Sequence, residues 1–147
     1  MAQNEPGELA DEKGSCAFCS MLRGETETYG VFEDEVSAAF LDHRPLFPGH
    51  CLLIPKKHYE TLVDLPRSVV TPLFVNAQLL TAAVEQAMEA EGTFLAINNR
   101  VSQSVPHFHI HIVPRRRNDK EAIAAVRERL RSVISQLVSD RASSARI

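Results

Sequence analysis

The sequence contains no tryptophan, two tyrosines and three cysteines among 147 residues. No segment approaches the roughly 18 consecutive apolar residues of a membrane span, and the N-terminal MAQNEPGELADEKGS is acidic and lacks the apolar centre of a secretory signal. We therefore expect a cytoplasmic protein with no membrane partner, in which Cys16, Cys19 and Cys51 are reduced thiols or metal ligands.

Positive charge is not in excess. The formal net charge is −3, and no long basic stretch occurs. Because nucleic-acid affinity depends largely on the neutralisation of phosphates, this balance argues against a dedicated nucleic-acid binder. Apolar residues make up 44% of the chain and charged residues 24%, which is typical of a folded domain rather than a disordered or fibrous chain.

Five short segments have the composition of strands: TYGVFED, SAAFLD, HCLLIP, FLAINN and the histidine-bearing SVPHFHIHIVP. Turn-forming residues separate them, and hairpin-type connections predict an α+β fold with a mostly antiparallel five-stranded sheet. We assign residues 1–14 to a flexible acidic tail, 15–118 to the domain that holds this sheet, and 119–147 to a C-terminal helix with a frayed tail.

Helical patterns occur in three places. CAFCSML is predicted to form a short helical turn. Apolar residues recur at spacings of three and four over residues 67–91, where Gly92 is a plausible stop for one long helix. A last helix is predicted from Lys120 to about Val138, and the remainder, SDRASSARI, is expected to fray.

The most informative segment is SVPHFHIHIVP, in which His107, His109 and His111 occupy alternate positions. On a strand, residues two apart share a face at roughly 6.5–7 Å, so the three imidazoles are expected on one face and the intervening apolar residues on the other. Two hypotheses fit such a row. Either the three histidines bind a catalytic Zn²⁺ with an open position, or one histidine is a nucleophile that the others orient.

Cys16 and Cys19 form a C-x-x-C pair that, taken alone, has three interpretations: a redox pair, half of a zinc site, or two ordinary small residues. A site with two cysteines and two histidines would close a tetrahedral structural zinc. His58 is the candidate third ligand, and one histidine of the row can be the fourth.

Two further features support chemistry at the histidine segment. His50 follows Pro48-Gly49 and opens a strand, where it can orient a nucleophilic imidazole. The polar loop Ser102-Gln103-Ser104 comes directly before the segment, and its hydroxyls, amide and backbone N–H groups can hold phosphate oxygens.

Taken together, these motifs resemble the histidine triad family of nucleotide hydrolases and transferases, in its zinc-containing form. The resemblance extends from about Cys16 to Arg115 and rests on CAFCSMLRGE, VFEDEVSAAFLD, RPLFPGHCLLIPKKH, INN and QSVPHFHIHIVPR. The order of these motifs along the chain is more specific than H-x-H-x-H alone.

The resemblance implies a role for each histidine. His109 is similar to the nucleophile that attacks the α-phosphorus, His111 to the residue that hydrogen-bonds the phosphate region, and His50 to the histidine that assists the nucleophile. The implied ligands of a structural zinc are Cys16, Cys19, His58 and His107. Because one histidine of the row then goes to a structural metal, the resemblance disfavours a catalytic tri-histidine zinc.

The resemblance also implies a nucleotide pocket. Asp42 matches the ribose-binding position, Phe18 and Met21 the base pocket, and Asn99, Gln103 and Ser104 the surroundings of the phosphates and leaving group. The family often has a glycine-containing loop between the Asn and the Gln, whereas here the connection is only Arg100-Val101-Ser102. This departure bears on the roles of Asn98 and Asn99 and on the leaving-group preference.

The implied function is a hydrolase or transferase that acts on the α-phosphate of purine nucleotide conjugates through a covalent nucleotidyl-histidine. The conjugate is a nucleoside phosphoramidate or a dinucleoside polyphosphate. The alternative is a nucleotide-binding regulatory module without turnover. A homodimer is expected from the resemblance, with the long helix and the strand before it as the candidate interface.

Overall fold

The computed structural model describes residues 16–117 and 119–144. The elements along the chain are α1 (Ala17–Leu22), β1 (Gly30–Glu33), β2 (Ser37–Leu41), β3 (Cys51–Pro55), a 3₁₀ turn (Leu62–Asp64), α2 (Arg67–Ala87), β4 (Gly92–Ala96), β5 (Ile110–Arg115) and α3 (Asp119–Ser144). The strands form one antiparallel sheet in the order β1-β2-β3-β5-β4. The predicted α+β class with five antiparallel strands is confirmed.

The core lies between α2 and one face of the sheet. Leu73, Ala77 and Leu80 of α2 are buried against Phe108 and Ile110. By length and composition alone, α2 is apolar enough to cross a membrane. Its buried face contacts β3, β4 and β5, so we assign it to the core of this domain.

α2 ends earlier than its periodicity predicts. The helix stops at Ala87, and Glu89 adopts a left-handed conformation with φ of 50°. A residue in that conformation ends the helical path, and Gly92 is then the first residue of β4 instead of the helix stop.

The histidine segment is only partly a strand, which corrects the prediction that all three histidines lie on one. β5 begins at Ile110, so His107 and His109 precede it. Pro55, at the end of the partner strand β3, has no N–H to give to a ladder, and the Phe108 N–H bonds to the carbonyl of Tyr59. The predicted alternation nevertheless holds, because Phe108, Ile110 and Ile112 are fully buried in one core cluster.

The described residues divide into two compact units, one up to residue 115 and one from residue 116 onward. In the second unit α3 continues to Ser144, beyond the predicted end near Val138. Side-chain hydrogen bonds from Gln136 to Asp140 and from Ser143 to the Ser139 carbonyl follow the helical i to i+4 spacing there. The predicted tail at residues 1–14 lies outside the described residues, and the proposed domain boundaries remain predictions.

Candidate active site and metal centre

A tight turn at Gly49 positions His50 in the site. Gly49 has φ of +91°, and an added Cβ would lie 2.6 Å from Cγ of Met88. Only glycine adopts that backbone conformation without strain. The His50 N–H then bonds to the Phe47 carbonyl, and the imidazole is buried at the start of β3.

A hydrogen bond joins the imidazole rings of His50 and His111. The Leu46 N–H donates to Nδ1 of His50 at 3.2 Å, and Nε2 of His50 lies 3.0 Å from Nδ1 of His111. Burial lowers the pKa of both imidazoles, while the nearby Asp42 carboxylate opposes that shift. The second nitrogen of His111, Nε2, is left for a ligand.

His109 has the tautomer of a nucleophile. Its Nδ1–H donates to the His107 carbonyl at 2.7 Å, so the Nε2 of the neutral ring carries a lone pair. The ring is buried, and Phe18 packs against it edge-on at a centroid distance of 5.2 Å. A backbone carbonyl thus orients the imidazole and leaves one nitrogen available for attack.

The four predicted metal ligands converge. Cys16 Sγ lies 3.5 Å from His107 Nδ1, Cys19 Sγ lies 3.6 Å from the same atom, and Cys19 Sγ lies 3.4 Å from His58 Nδ1. The donor atoms of all four residues lie within 4.8 Å of one another. His107 donates from Nε2 to the Pro55 carbonyl at 2.8 Å, which leaves the Nδ1 lone pair turned toward the thiols.

This donor set fits Zn²⁺. With Zn–S of about 2.3 Å and Zn–N of about 2.0–2.1 Å, tetrahedral ligands lie roughly 3.4–3.8 Å apart, and the three measured separations fall in that range. Burial lowers the pKa of His107 to about 4, so its imidazole is neutral and able to ligate. Burial and the adjacent Cys16 raise the pKa of the Cys19 thiol to about 11 without metal, so binding would release a proton.

A second group of possible ligands, Asp42, His50 and His111, does not suit a metal. Nδ1 of His50 already accepts the Leu46 N–H. A metal on Nε2 would then require an imidazolate ring, because neither nitrogen could keep a proton. The hydrogen-bonded histidine pair explains this group better.

A cavity of about 360 Å³ opens beside the histidines. Six residues that the sequence analysis assigned to the site line this cavity: Phe18, Met21, Asp42, Ser104, His109 and His111. Sequence reasoning missed the wall formed by Phe40 and by residues 26–29, which connect α1 to β1. Phe40 could have been found, because it lies two positions before Asp42 and shares its side of the strand.

Asn99 and Gln103 are engaged away from this cavity. The Leu62 N–H donates to the Asn99 side-chain carbonyl at 2.8 Å, and Gln103 bonds to the Arg100 N–H and the Glu60 carbonyl. Both side chains therefore hold the shortened loop against the segment before α2. In that loop Arg100 and Ser102 have φ of 67° and 58°, a conformation that glycine adopts more readily.

Comparison with known proteins identifies the chain. The family model described as "HIT domain" matches residues 23–118. This protein belongs to the HIT family. The predicted family is therefore confirmed. The matched range includes both paired histidines, His50 and His111, and the ligand candidates His58 and His107, whereas Cys16 and Cys19 precede it.

The similar proteins include named enzymes. Adenylylsulfatase HINT3 of Arabidopsis thaliana is 36% identical over 133 residues, which cover 86% of this chain and 68% of that protein. The asymmetrical bis(5'-nucleosyl)-tetraphosphatase of Schizosaccharomyces pombe is 36% identical over 60% of this chain and 50% of its own length. A zinc-bound histidine triad protein from Mycobacterium smegmatis is 38% identical, with a TM-score of 0.68 over 72% of this chain and 78% of that one. This HIT protein is an enzyme of the nucleotide-hydrolase type.

Proposed function

We propose that this HIT protein releases a nucleoside monophosphate from purine nucleotide conjugates through a nucleotidyl-histidine formed on His109. The observation that carries the proposal is the His109 tautomer. Its Nδ1–H is held by the His107 carbonyl, and the ring lines a cavity that it shares with His111 and Asp42. The proposed nucleophile His109, the hydrogen-bond donor His111 and the Asp42 carboxylate thus line one cavity, which supports nucleotide binding there.

The cavity suits the parts of a nucleotide. Phe18 and Phe40, whose rings meet edge-on at 5.3 Å, offer an apolar wall for a purine base. Asp42 offers carboxylate oxygens to the ribose hydroxyls, which can both donate to one carboxylate. The phosphate would then lie beside Ser104 and His111, close to the nucleophile.

The reaction divides into two displacements. In the first, the Nε2 lone pair of His109 attacks the α-phosphorus, and the bond from phosphorus to the leaving group breaks. In the second, water attacks the nucleotidyl-histidine, the P–N bond breaks, and the imidazole returns to its resting state. A covalent intermediate replaces one difficult displacement with two easier ones, and the Nε2–H of His111 can stabilise the developing charge.

The same site is compatible with several leaving groups. An amine would make the enzyme a phosphoramidase, a nucleotide would make it a dinucleoside polyphosphate hydrolase, and a phosphate acceptor would make it a transferase. The rival function is a nucleotide-binding module without turnover. The intact nucleophile arrangement at His109 favours catalysis over that rival.

We also propose that Cys16, Cys19, His58 and His107 hold a structural zinc. Four protein ligands leave no open position for chemistry, so the metal would stabilise the fold by tying α1 to the segments around His58 and His107. Thiolate ligands persist in reducing compartments, which agrees with the expected cytoplasmic location.

We also propose that the protein forms a homodimer, through a different surface from the one expected from the sequence. The strand before the long helix is β3, which pairs on both sides and has no free edge. β4 lies at the sheet edge, with Phe94 and Leu95 exposed. Val75 and Leu79 of the adjoining α2 are also exposed, so this joint surface is the better candidate. Leu79→Glu should reduce the mass measured by light scattering to that of a monomer.

Turnover is tested by mixing the purified protein with adenosine 5′-phosphoramidate or diadenosine tetraphosphate and following AMP release. We expect release by the wild type and a loss of more than about 10³-fold in His109→Asn, as for removal of a covalent nucleophile. Quenching during turnover in an alkaline denaturant, which preserves the acid-labile P–N bond, should trap the adenylylated protein. No release from either substrate, with AMP still bound, would establish the binding module instead.

A further inference from the structure

The cavity follows the order of the strands across the sheet. His109 directly precedes β5, Asp42 directly follows β2, and residues 26–29 directly precede β1, the edge strand beside β2. The Leu41 N–H donates to the Tyr29 carbonyl at 2.9 Å, so the segment before β1 stays next to β2. The lining therefore runs from the histidines at β5, past the Asp42 carboxylate, to a wall beside the sheet edge.

A nucleotide bound according to the proposed function extends in the same direction. With its phosphate at His109 and its ribose at Asp42, its base lies farther along, toward the wall formed by residues 26–29. In a purine nucleotide with the usual anti glycosidic conformation, the edge that carries the N1 atom and the substituents on C2 and C6 is the part of the base farthest from the 5′-phosphate. That edge therefore faces this wall.

Glu27 is the charged member of the wall, whose other members are two threonines and a tyrosine. No lysine or arginine lies among the described residues that line the cavity. An ionised carboxylate has only acceptors, so Glu27 can take two hydrogen bonds from a base edge that presents two adjacent donors. Glu25 differs, because its carboxylate pairs with Arg23 at 2.7 Å and is not part of the lining.

The purine bases differ in what they present to such a carboxylate. Guanine presents its N1–H and its 2-amino group side by side, and this pair of donors matches the two oxygens of one carboxylate. Hypoxanthine keeps the N1–H and lacks the amino group. Adenine presents its 6-amino group beside the N1 lone pair, so one carboxylate oxygen gains a bond while the other faces an acceptor. The carboxylate therefore favours guanine over hypoxanthine, and hypoxanthine over adenine.

We propose that Glu27 is a specificity-determining residue, which makes the enzyme prefer guanosine conjugates to adenosine conjugates by accepting two hydrogen bonds from the guanine edge. This inference rests on the proposed function for the positions of the phosphate and the ribose, and it selects the base. Residues 26–29 lie between CAFCSMLRGE and VFEDEVSAAFLD, two of the motifs that carry the family resemblance. The preference thus comes from a part of the lining that those motifs do not include.

The direct test compares kcat/KM for guanosine, inosine and adenosine 5′-phosphoramidates, or for the corresponding dinucleoside tetraphosphates if the enzyme cleaves only that class. Because Glu27 is exposed, we expect guanosine to be favoured over adenosine by about 5–10-fold, the lower end of what a bidentate contact to a base contributes. The inosine conjugate should lie between the two. Equal values for the three bases, or a preference for adenosine, overturns the inference.

A single substitution tests the cause. In Glu27→Gln the side-chain amide offers one acceptor and one donor, which match the 6-amino group and the N1 of adenine. The ratio of guanosine to adenosine should therefore fall to about one or below. Glu25→Gln makes the same chemical change on a carboxylate outside the lining and should keep the wild-type ratio. A Glu27→Gln protein that retains the preference for guanosine overturns the role of Glu27.

Binding measurements separate this inference from the proposed function. Calorimetry gives the dissociation constants of GMP, IMP and AMP for the wild type and for Glu27→Gln. A preference for GMP that Glu27→Gln removes, without turnover of any conjugate, supports the role of Glu27 and overturns the nucleotidyl-histidine mechanism. Turnover of guanosine and adenosine conjugates at equal rates supports that mechanism and overturns the role of Glu27. Failure of all three nucleotides to bind overturns both.

Discussion

Asp42 Oδ2 lies 3.6 Å from Nε2 of His50, while the carboxylate also lines the cavity. One side chain therefore faces both the proposed ribose site and the histidine pair. A sugar hydroxyl that donates a hydrogen bond to this carboxylate would change the electrostatic potential that the carboxylate produces at His50. Sugar recognition and the chemistry at phosphorus are thus expected to be coupled through Asp42.

Asp42→Asn should lower kcat/KM for a ribonucleotide conjugate by about 10–100-fold, because a hydrogen bond to a charged group contributes about 1.5–3 kcal/mol. The measurement is a cycle that combines this variant with the 2′-deoxy form of the same substrate. In the wild type the deoxy substrate should be poorer, and in the variant the sugar should matter little. Fully additive losses would show that Asp42 does not contact the ribose.

Removal of zinc should destabilise the protein. A chelator is expected to lower the melting temperature and to extract about one zinc per chain, whereas the double variant Cys16→Ser, Cys19→Ser should hold no zinc and show no chelator effect. The apparent zinc affinity should increase with pH, because the Cys19 thiol, with its pKa raised to about 11, must lose its proton to ligate. Wild-type protein that binds no zinc would refute the proposed centre.

Much of the fold was predictable because its signals are local. Alternation places Phe108 and Ile110 in the core, and the three-and-four spacing locates α2. The start of the histidine strand at Ile110 was not predictable, since it depends on Pro55 and on the Tyr59 carbonyl from another part of the chain. The engagement of Gln103 with Glu60 is likewise a long-range contact that no local pattern encodes.

Acid should weaken the fold through the histidine pair. The folded pKa values of His50 and His111 lie below the ordinary 6.5, so the unfolded chain binds more protons in the window between 6.5 and those lowered values. The unfolding free energy therefore falls as the pH drops through this window and is fully present above 6.5.

Denaturant unfolding at a series of pH values, with zinc present, measures this effect. His111→Asn should show a shallower decline below pH 6.5 than the wild type. His43→Asn is the matched control, because the His43 side chain is 79% exposed, and it should keep the wild-type slope. Equal slopes in all three proteins would mean that His111 takes up its proton equally in the folded and unfolded states.

The turn at Gly49 should be intolerant of a side chain. Gly49→Ala places a Cβ at 2.6 Å from Cγ and 2.9 Å from Sδ of Met88, in a backbone with φ of +91°. Strain of this kind costs on the order of 1–3 kcal/mol, and we expect a loss of that size in the unfolding free energy. Because the displaced residue is followed by His50, kcat/KM should also fall.

Two variants separate the causes at this turn. Adding Met88→Ala to Gly49→Ala removes the steric contact and should recover part of the stability, while the backbone strain remains. Gly30→Ala is the control, since its Cβ would meet no atom within 4 Å and its φ is not in the left-handed region; it should change stability by less than about 0.5 kcal/mol. If Gly49→Ala were as benign as Gly30→Ala, the turn would not be what fixes His50 at the head of β3.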